Sequence, residues 1–598
     1  MRLRVPLFML CAWTLLGQDG AAIYQARCAG CHDAPGARVP SLHALRAMNA
    51  ALILRAIEGG VMKTQVEGLT TQERHAVLIY LATPELKPAT LPSSAFCTAK
   101  AKFPTVMQGP SWTGWSPDDA NTRFQEAAGF TAADVSKLKL KWAFGLGDGI
   151  NARSQPAVAG GRVFVGSQSG TVYSLDARTG CINWTFEAAA GVRSGVVVGP
   201  LKHPAVFLTD ERANVYAVDA STGKERWKAH VEDHFAARGT ATPLLHGGVL
   251  YVPVASIEEG LAPSPTYECC TFRGSVVALA ADTGKLIWKS YTIADAAQPT
   301  KKSKMGAQMY GPSGAGVWSA PTFDEKRDAL YVATSDNYSD PATITSDAVI
   351  ALDRKTGKML WSRQLTSGDV FNLGPESHGP DFDFGQSPIL VSLANGKRAL
   401  VIGQKSGVAY GLDPDQQGAM LWQTRVGKGG TLGGSQWGSA ADRQNLYVAV
   451  SDVKLGVVPD KTSPQGYALK PDSQQGGGLF ALRLATGETA WSAKPPSCGD
   501  RKNCSPAQSA AVTAIPGVVF SGSVDGHLRA YQAATGEAIW DVDTVREYET
   551  VNGQKAHGGS LDGPGPVIAG GVLYVNSGYG RWGGLPGNVL LAFSVDGQ

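Results

Sequence analysis

Two cysteines and a histidine near the amino terminus are the first residues of the chain with an evident chemistry. Cys28 and Cys31 are separated by two residues, and His32 follows the second cysteine directly. This spacing suits covalent haem c, because both thiols can form thioethers with the porphyrin while the histidine ligates the iron. A zinc site or a redox pair of cysteines is the alternative, but zinc would need a second pair of ligands nearby. The pattern therefore predicts a covalently attached haem c.

The sixth ligand of such an iron is expected to be a methionine further along the chain. Met48 and Met62 are the candidates. Met62 lies in a glycine-flanked loop ahead of an amphipathic stretch, in which Thr70 or Thr71 could cap a helix together with Glu73. Met48 lies within a helical pattern that is typical of a core. We therefore predict Met62 as the ligand, and methionine–histidine ligation would raise the haem potential.

The positions of these residues suggest how the first part of the chain is organised. Residues 1–21 carry two arginines, an apolar stretch and small residues, a pattern that predicts a secretory signal and a periplasmic location. Residues 22–84 are predicted to form a small all-α cytochrome c domain of class I. A proline-rich segment at 83–96 predicts a semi-extended connection, so residues 85–130 are assigned to a linker and lead-in.

Seven further cysteines accompany the haem pair. Cys11 lies within the predicted signal. The others are the adjacent pair Cys269 and Cys270, the polar-loop pair Cys498 and Cys504, and the separated Cys97 and Cys181. Three disulfides would suit an oxidising compartment.

A repeated Thr-Gly-x-x-x-Trp signature must position the rest of the chain. The copies end at Trp184, Trp227, Trp288, Trp361, Trp491 and Trp540, with a degenerate copy at Trp422 and a further tryptophan at Trp142. Each copy follows short β-branched strands and a glycine turn, a unit that cannot bury its apolar face without neighbours. The pattern predicts an all-β, eight-bladed β-propeller over 131–598, in which the strand at 588–597 pairs with the one at 138–145.

Composition excludes some classes of function. The chain has 598 residues, 72 glycines and a net charge of +3, so it carries no large basic field for nucleic acid. After the amino terminus we expect no transmembrane segment, because no apolar stretch is long enough.

Several segments resemble the pyrroloquinoline quinone (PQQ) dehydrogenases, and most closely the cytochrome-fused polyvinyl alcohol dehydrogenases. These segments are GPSWTGWSPDDANTRFQ at 109–125, LKLKWAFG at 138–145, YECCTFRGSVVALAADTGK at 267–285, GPSGAGVWSAP at 311–321 and HGGSLDGPGPVIAGGVLYVNSGYG at 557–580. The resemblance implies PQQ, calcium and haem c as cofactors. It implies oxidation of secondary alcohols to ketones by hydride transfer to PQQ. Electrons would then pass to the fused haem and on to a downstream cytochrome c or the respiratory chain.

The same resemblance assigns residues to the PQQ site. Trp318 would form the floor under the cofactor, Lys405 would supply a cation beside its quinone oxygens, and Thr240 and Arg238 could hold its carboxylates. Cys269 and Cys270 would form a vicinal disulfide on the quinone face. Here, however, that pair follows Glu258 within one loop, unlike the order in the alcohol dehydrogenases.

Calcium and the catalytic base are assigned on the same grounds. Glu258 and Asn337 match the family's calcium ligands, with Glu259 as the local rival to Glu258. Asp381 and Asp383 both match the catalytic aspartate, and we favour Asp383 as the base. One member of this pair could instead ligate the metal.

Two other functions fit the repeat. A non-enzymatic envelope scaffold or sensor could carry the haem on the same propeller, and a quinoprotein could act on primary alcohols or sugars. The haem motif beside the propeller favours an enzyme, because a covalent haem needs an electron source. The substrate could be an alcohol or a polymer alcohol.

Overall fold

The computed structural model divides the chain into two compact units. One comprises residues 1–85 with 263–267, and the other residues 86–262 with 268–598. The described residues are 20–33, 39–46, 48, 50–82, 89–99, 102–105, 109–459, 467–501 and 503–598. The predicted signal therefore lies almost entirely outside them. Among the described residues, no helix has the length and apolar character needed to cross a membrane.

The first unit is built from helices, as predicted for a cytochrome. They are α1 (Gly20–Arg27), α2 (Ala29–His32), α3 (Leu42–Arg46), α4 (Ala50–Glu58) and α5 (Thr71–Ala82), with a 3-10 turn at Lys63–Val66. A capping box starts α5, since the Thr70 N–H donates to Glu73 at 2.7 Å and the Glu73 N–H donates to the Thr70 hydroxyl at 3.2 Å. Helix α1 approaches α5 at Gly20, where a Cβ would lie 2.1 Å from the Ala76 carbonyl oxygen.

The second unit is an eight-bladed propeller of four-stranded antiparallel blades. The chain enters it through β1 (Leu138–Gly145). Blades 1 and 2 are β2 (Ala157–Ala159), β3 (Arg162–Gly166), β4 (Thr171–Asp176) and β5 (Ile182–Glu187), then β6 (Val197–Gly199), β7 (Ala205–Thr209), β8 (Asn214–Asp219) and β9 (Glu225–His230). Blade 3 contains β10 (Ala237–Arg238), β11 (Leu244–His246), β12 (Val249–Ser256), β13 (Ser275–Ala280) and β14 (Leu286–Tyr291).

The middle blades carry inserted strands. After blade 3 come β15 (Gln298–Lys302), β16 (Gln308–Gly311) and β17 (Ser313–Gly314). Blade 4 is β18 (Thr322–Asp324), β19 (Ala329–Ala333), β21 (Ala348–Asp353) and β22 (Met359–Gln364), with β20 (Asn337–Ser339) inserted and paired to β17. Blade 5 is β23 (Ile389–Ser392), β24 (Arg398–Gly403), β25 (Val408–Asp413) and β26 (Ala419–Arg425).

The last three blades complete the ring. Blade 6 is β27 (Ala440–Ala441), β28 (Asn445–Ala449), β31 (Leu479–Arg483) and β32 (Thr489–Ala493), with an inserted hairpin of β29 (Leu455–Pro459) and β30 (Tyr467–Pro471). Blade 7 is β33 (Thr513–Ile515), β34 (Val518–Gly522), β35 (His527–Gln532) and β36 (Ala538–Asp543), followed by the pair β37 (Glu547–Tyr548) and β38 (Ala556–His557). Blade 8 is β39 (Val567–Ala569), β40 (Val572–Ser577), β41 (Val589–Val595) and β1. Short 3-10 turns lie at Ser93–Ala95, Ala132–Lys137, Glu258–Leu261 and Pro414–Gln416.

Ring closure follows the prediction made from the terminal strands. Strand β1 pairs antiparallel with β41, from Leu138 opposite Val595 to Gly145 opposite Val589. The first and last strands of the propeller thus share one blade, which leaves no open edge between its ends.

The structure explains why the repeat couples a glycine with a tryptophan. The Trp227 indole N–H donates to the Ala281 carbonyl of the next blade at 2.9 Å, and its ring covers Gly284. Gly284 has φ +71°, and a Cβ there would lie 2.6 Å from the ring. The same contact joins Trp142 to Gly180, Trp184 to Gly223, Trp288 to Gly357, Trp361 to Gly418, Trp422 to Gly487 and Trp491 to Gly536. The signature therefore joins seven of the eight blades to the next one, and at the remaining junction Trp540 packs edge-on against Phe593.

Residues 112–125 form a central plug, although this stretch was assigned to a linker and lead-in. The plug bonds to the innermost strand of every blade. The contacts are Trp112 with Val158, Thr113 with Val198, Asp119 with His246 and Phe323, Ala120 with Leu390, Thr122 with Ala441, and Gln125 with Ala514 and Ile568. One short segment therefore ties the inner ends of all eight blades together.

Three disulfides close within the propeller unit. They join Cys97 to Cys181, Cys269 to Cys270 and Cys498 to Cys504. Cys28 and Cys31 in the first unit are free thiols, as haem attachment requires.

Candidate functional site

A cavity of about 220 Å³ lies among the loops that enter the inner strands of the blades. One position recurs around it, four residues before each innermost strand. The residues there are Arg153, Arg193, Thr240, Trp318, Gly385, Gln436, Ser509 and Gly563, and each lines this cavity or a smaller one beside it. The propeller repeat thus supplies one lining residue per blade, a side chain in six blades and a glycine in two.

Three aspartates cluster at one end of the cavity, the acidic end, which Asp381 and Asp383 line and Asp336 does not. One carboxylate oxygen from each of Asp336, Asp381 and Asp383 lies within 4.8 Å of the other two, and all three residues are buried. Lys405 lies between two of them, with its Nζ 2.6 Å from Asp383 and in contact with Asp381. Although burial opposes it, the two carboxylates hold the pKa of Lys405 well above its usual range.

Asp336 has no hydrogen-bond donor for either carboxylate oxygen among the described residues, although its side chain is 0% exposed. Burial, and then the nearby Asp383 and Asp381, raise its pKa well above the usual range. An unpaired buried carboxylate is costly, and a bound cation removes that cost. Oxygen-rich clusters of this kind suit hard cations such as calcium.

The two glutamates at the end of β12 face different surroundings. Glu258, the predicted ligand, is fully buried and accepts the N–H groups of Thr271 at 2.9 Å and Phe272 at 2.8 Å. Although burial opposes it, His234 and these N–H groups hold the pKa of Glu258 below its usual range. Glu259 lines the cavity instead, and burial raises its pKa to about 7. Glu259 therefore lies at the acidic end of the cavity, whereas Glu258 holds the loop that contains Thr271 and Phe272.

Asn337 is similarly occupied within its own loop. Its side-chain N–H donates to the Ser313 carbonyl at 3.0 Å, and its oxygen accepts the Thr343 N–H at 2.7 Å. Asp336 directly precedes β20, which begins at Asn337, and the two neighbouring side chains have different partners. Asp336 is the one that meets the other aspartates.

Trp318, the predicted floor under the cofactor, lines both the cavity and the smaller one beside it. Its indole N–H donates to Asp383 at 3.0 Å. Gly385 makes room for the ring, since a Cβ there would lie 2.2 Å from it. Trp437 stands perpendicular to Trp318 with ring centres 5.7 Å apart, and the side chain of Asp562 accepts the Trp437 N–H. These contacts hold a flat aromatic surface beside the acidic end.

Arginines line the opposite end of the cavity. Arg153 pairs with Glu211 at 2.9 Å, Arg193 lies over the Trp437 ring at 5.3 Å, and Arg581 is nearby. Burial, and then Arg153, lower the pKa of Arg193 to about 10. These cations are arranged to meet an anionic ligand.

The two predicted carboxylate-binding residues separate in space. The hydroxyl of Thr240 lines the cavity and, among the described residues, is buried without a partner. The Arg238 guanidinium donates to the Phe235 and Ala237 carbonyls and does not belong to the cavity lining. Sequence reasoning missed Arg153 and Arg193, although their shared place in the repeat could have identified both.

The vicinal disulfide forms, but neither of its cysteines is among the residues that line the cavity. Cys269 and Cys270 are both buried, and Tyr310 holds the pair through two backbone hydrogen bonds. The N–H groups that follow the pair are those that Glu258 accepts. The disulfide and Glu258 therefore shape one loop beside the cavity.

In the first unit, His32 is buried and its Nδ1 lies 2.7 Å from the Pro40 carbonyl oxygen. This bond fixes the ring and leaves Nε2 for an iron, as in proximal haem ligands. Met62 directly precedes the 3-10 turn at Lys63–Val66 and is partly exposed, and it remains the predicted sixth ligand.

Comparisons with known proteins agree with this arrangement. The family model described as glucose/ethanol/alcohol dehydrogenase β-propeller, named PQQ, matches residues 261–428. A model described as outer membrane protein assembly factor BamB matches 130–258 and 475–597, and one for cbb3-type cytochrome c oxidase subunit III matches 16–81. The matches thus cover a cytochrome segment and the propeller repeats.

Two relatives align along almost the whole chain. A polyvinylalcohol dehydrogenase from Pseudomonas sp is 42% identical over 97% of this chain and 94% of its own. Another from Sphingopyxis sp. (strain 113P3) is 40% identical over 97% of this chain and 93% of its own. The crystal structure of quinohemoprotein alcohol dehydrogenase from Comamonas testosteroni shares the fold, with TM-score 0.61, 21% identity, and coverage of 82% and 81% of the two chains.

Proposed function

This chain belongs to the family of polyvinylalcohol dehydrogenases, and we propose that it oxidises secondary hydroxyl groups of a polyvinyl-alcohol-like substrate to ketones. It is a PQQ-dependent alcohol dehydrogenase with a fused cytochrome domain. We further propose that it works in the periplasm and passes electrons from its haem c to a downstream cytochrome c or the respiratory chain. The observation that carries the proposal is a cavity with a cluster of buried carboxylates at one end and arginines at the other.

The residues of the cavity fit PQQ and calcium. PQQ is a planar tricycle with three carboxylates at one side and quinone oxygens at the other. Arg153, Arg193 and the unpaired hydroxyl of Thr240 would hold the carboxylates. Trp318 offers a flat ring for stacking, and Lys405 offers a cation for the quinone oxygens.

Calcium fits the acidic end. Asp336 supplies two unpaired oxygens, and Glu259 and one of Asp381 and Asp383 complete a set of oxygen donors. We assign Glu259 and Asp336 in place of Glu258 and Asn337, because the side-chain oxygens of the latter two already accept N–H groups of neighbouring loop residues. Bound there, calcium would act as a Lewis acid.

Different side chains of the cavity then take different parts in the reaction. PQQ, when bound, supplies the acceptor for the hydride of the carbinol carbon. Asp383 accepts the hydroxyl proton of the alcohol at its carboxylate, and the Trp318 N–H at 3.0 Å fixes the direction of that carboxylate. Lys405 holds positive charge beside the reacting oxygens. Asp381 remains the rival base, since it contacts the same ammonium group.

Reduction of the haem on adding alcohol tests the proposal. The purified protein is loaded with PQQ and calcium, and haem absorbance is followed with polyvinyl alcohol, 2-propanol, ethanol or glucose. We expect reduction with the polymer and the secondary alcohol. Asp383→Asn should lower the rate by about 10²–10⁴-fold while PQQ still binds, and Asp381→Asn should lower it less.

Three outcomes would change this assignment. An equal or larger loss in Asp381→Asn would move the base to Asp381. Reduction by ethanol or glucose alone would indicate a quinoprotein for primary alcohols or sugars. No reduction with any alcohol would favour a scaffold or sensor that carries haem.

A further inference from the structure

An outer groove adjoins the cavity just described. It encloses about 380 Å³ and is lined by the loop 428–433, residues 452–455, Gln475 and Trp582. This volume lies within the range of sites that bind small organic molecules. Thr431, Leu432, Val453 and Trp582 line both the groove and the cavity. A ligand in the cavity can therefore continue into the groove.

We propose that the outer groove binds the chain that flanks the reacting carbinol of an extended polyhydroxylated substrate. The inference rests on the proposed function, since it takes the cavity as the place where the carbinol reacts. It adds a second region of contact, which a short alcohol does not reach.

The groove is preformed, because its glycine-rich loop is tied down. The Asp452 carboxylate accepts the N–H groups of Lys428 at 2.7 Å and Gly434 at 2.8 Å. The Gly430 N–H donates to the Lys405 carbonyl at 3.1 Å, so the loop is held against the turn that carries Lys405. Gly429 has φ +83°, and a Cβ there would lie 2.4 Å from the Ser406 carbonyl oxygen. A rigid wall of this kind binds a flexible chain without a further ordering cost in the protein.

The chemistry of the walls matches a chain of alternating methylene and carbinol groups. Leu432, Val453 and Trp582 supply apolar surface where groove and cavity join. Lys428 and Gln475 supply polar groups along the outer part. Methylene groups can pack on the apolar side while hydroxyl groups reach the polar groups and solvent.

Trp582 is held out at the junction by a tight turn. It is 44% exposed, which is unusual for a large aromatic ring, and its backbone has φ +51°. The Gly584 N–H donates to the Arg581 carbonyl at 2.8 Å and closes the turn. Gly583 packs against Pro471, where a Cβ would lie 2.8 Å from the proline ring. A non-glycine residue in this backbone conformation costs free energy, and such strain is often retained at ligand sites.

Kinetics with matched substrates test the groove. Polyvinyl alcohol is compared with 2,4-pentanediol, which offers the same secondary carbinol without a long flanking chain. Trp582→Ala should raise KM for the polymer about tenfold, the effect expected for one lost aromatic contact. The kcat for the polymer should stay within about twofold of wild type. Because Trp582 also lines the cavity, the kcat/KM for the diol can fall, but the loss should be much smaller than the loss for the polymer. Trp582→Phe should restore most of the affinity for the polymer.

Leu360→Ala is the matched control, because Leu360 is 49% exposed on β22 and does not line the groove. This variant should have wild-type kcat and KM for both the polymer and the diol. If Trp582→Ala lowered kcat/KM equally for the polymer and the diol, or left KM for the polymer unchanged, the groove proposal would be wrong. The proposed function would not be affected. If none of the alcohols reduced the haem of the wild-type protein, the proposed function would be wrong, and the groove proposal with it.

Discussion

At the scale of single residues, we assign metal binding and structural support at the acidic end of the cavity to two neighbouring side chains. Asp336 is buried with both carboxylate oxygens unpaired, whereas its neighbour Asn337 has its amide fully engaged. We expect Asp336→Asn to lower calcium affinity about tenfold or more, because carboxylate charge sets the strength of such sites. The thermal midpoint of the metal-free protein should not fall, since the change removes a buried carboxyl group that has no hydrogen-bond partner among the described residues. Calcium titration calorimetry and scanning calorimetry measure the two effects.

Asn337→Ala is the companion variant and should behave in the opposite way. It breaks the bonds to Ser313 and Thr343 and should cost about 1–3 kcal/mol of stability, because buried partners lose their hydrogen bonds. Its calcium affinity should stay near that of wild type. If Asn337→Ala abolished calcium binding and Asp336→Asn did not, Asn337 would return as the ligand.

Sequence reasoning located the segments of this site more reliably than the individual side chains. The contacts among Trp318, Lys405, Asp381 and Asp383 bring four of the predicted site residues together. The glutamate and the blade 4 ligand are each displaced by one residue in our assignment, because neighbouring side chains at the end of a strand face different surroundings. A sequence pattern gives the strand, but the direction of each side chain depends on how the following loop is packed.

At the scale of the blade, the contact between tryptophan and glycine carries most of the information in the repeat. The two residue types are fixed by geometry, since only glycine fits beneath the ring and only a large ring reaches the next blade. This is why the number and order of the blades could be predicted from sequence. The inserted pairs such as β15 with β16 and β29 with β30 carry no such signature, and they were not predicted.

Gly284→Ala tests this contact in one blade. The new Cβ would meet the Trp227 ring at 2.6 Å in a backbone with φ +71°. We expect a loss of about 2–4 kcal/mol, from the unfavourable backbone and from overpacking. Gly396→Ala isolates the backbone effect, because Gly396 has φ +78° and no atom within 4 Å of its Cβ position. It should cost only about 1 kcal/mol, and equal losses by calorimetry would contradict the packing explanation.

At the scale of the whole molecule, the central plug makes the propeller a single body. Residues 112–125 were predicted only as part of a linker, because their backbone bonds join strands far away in sequence and leave no periodic pattern. Trp115 of the plug also lines the small cavity beside Trp318. The plug therefore contacts both the inner strands of the blades and the region beside Trp318.

Arg123 is the residue through which the plug can be tested. Its side chain is 0% exposed and donates to the carbonyls of Trp115 and Val512, both at 2.7 Å. It also lies between the rings of Trp112 and Trp115, at 5.3 and 4.5 Å. Burial lowers its pKa to about 9, so the guanidinium stays charged at neutral pH.

Replacing this guanidinium should weaken the whole ring rather than one blade. Arg123→Ala removes the donors to the Val512 carbonyl and to Gln155 together with the contacts to both rings, and we expect a loss of about 3–5 kcal/mol seen as one lowered calorimetric transition of the propeller. Arg443→Ala is the control, because its side chain is 84% exposed in a surface pair with Glu126. That variant should change stability by less than about 1 kcal/mol. A split transition, with some blades melting at the wild-type temperature, would show that the plug does not couple the eight blades.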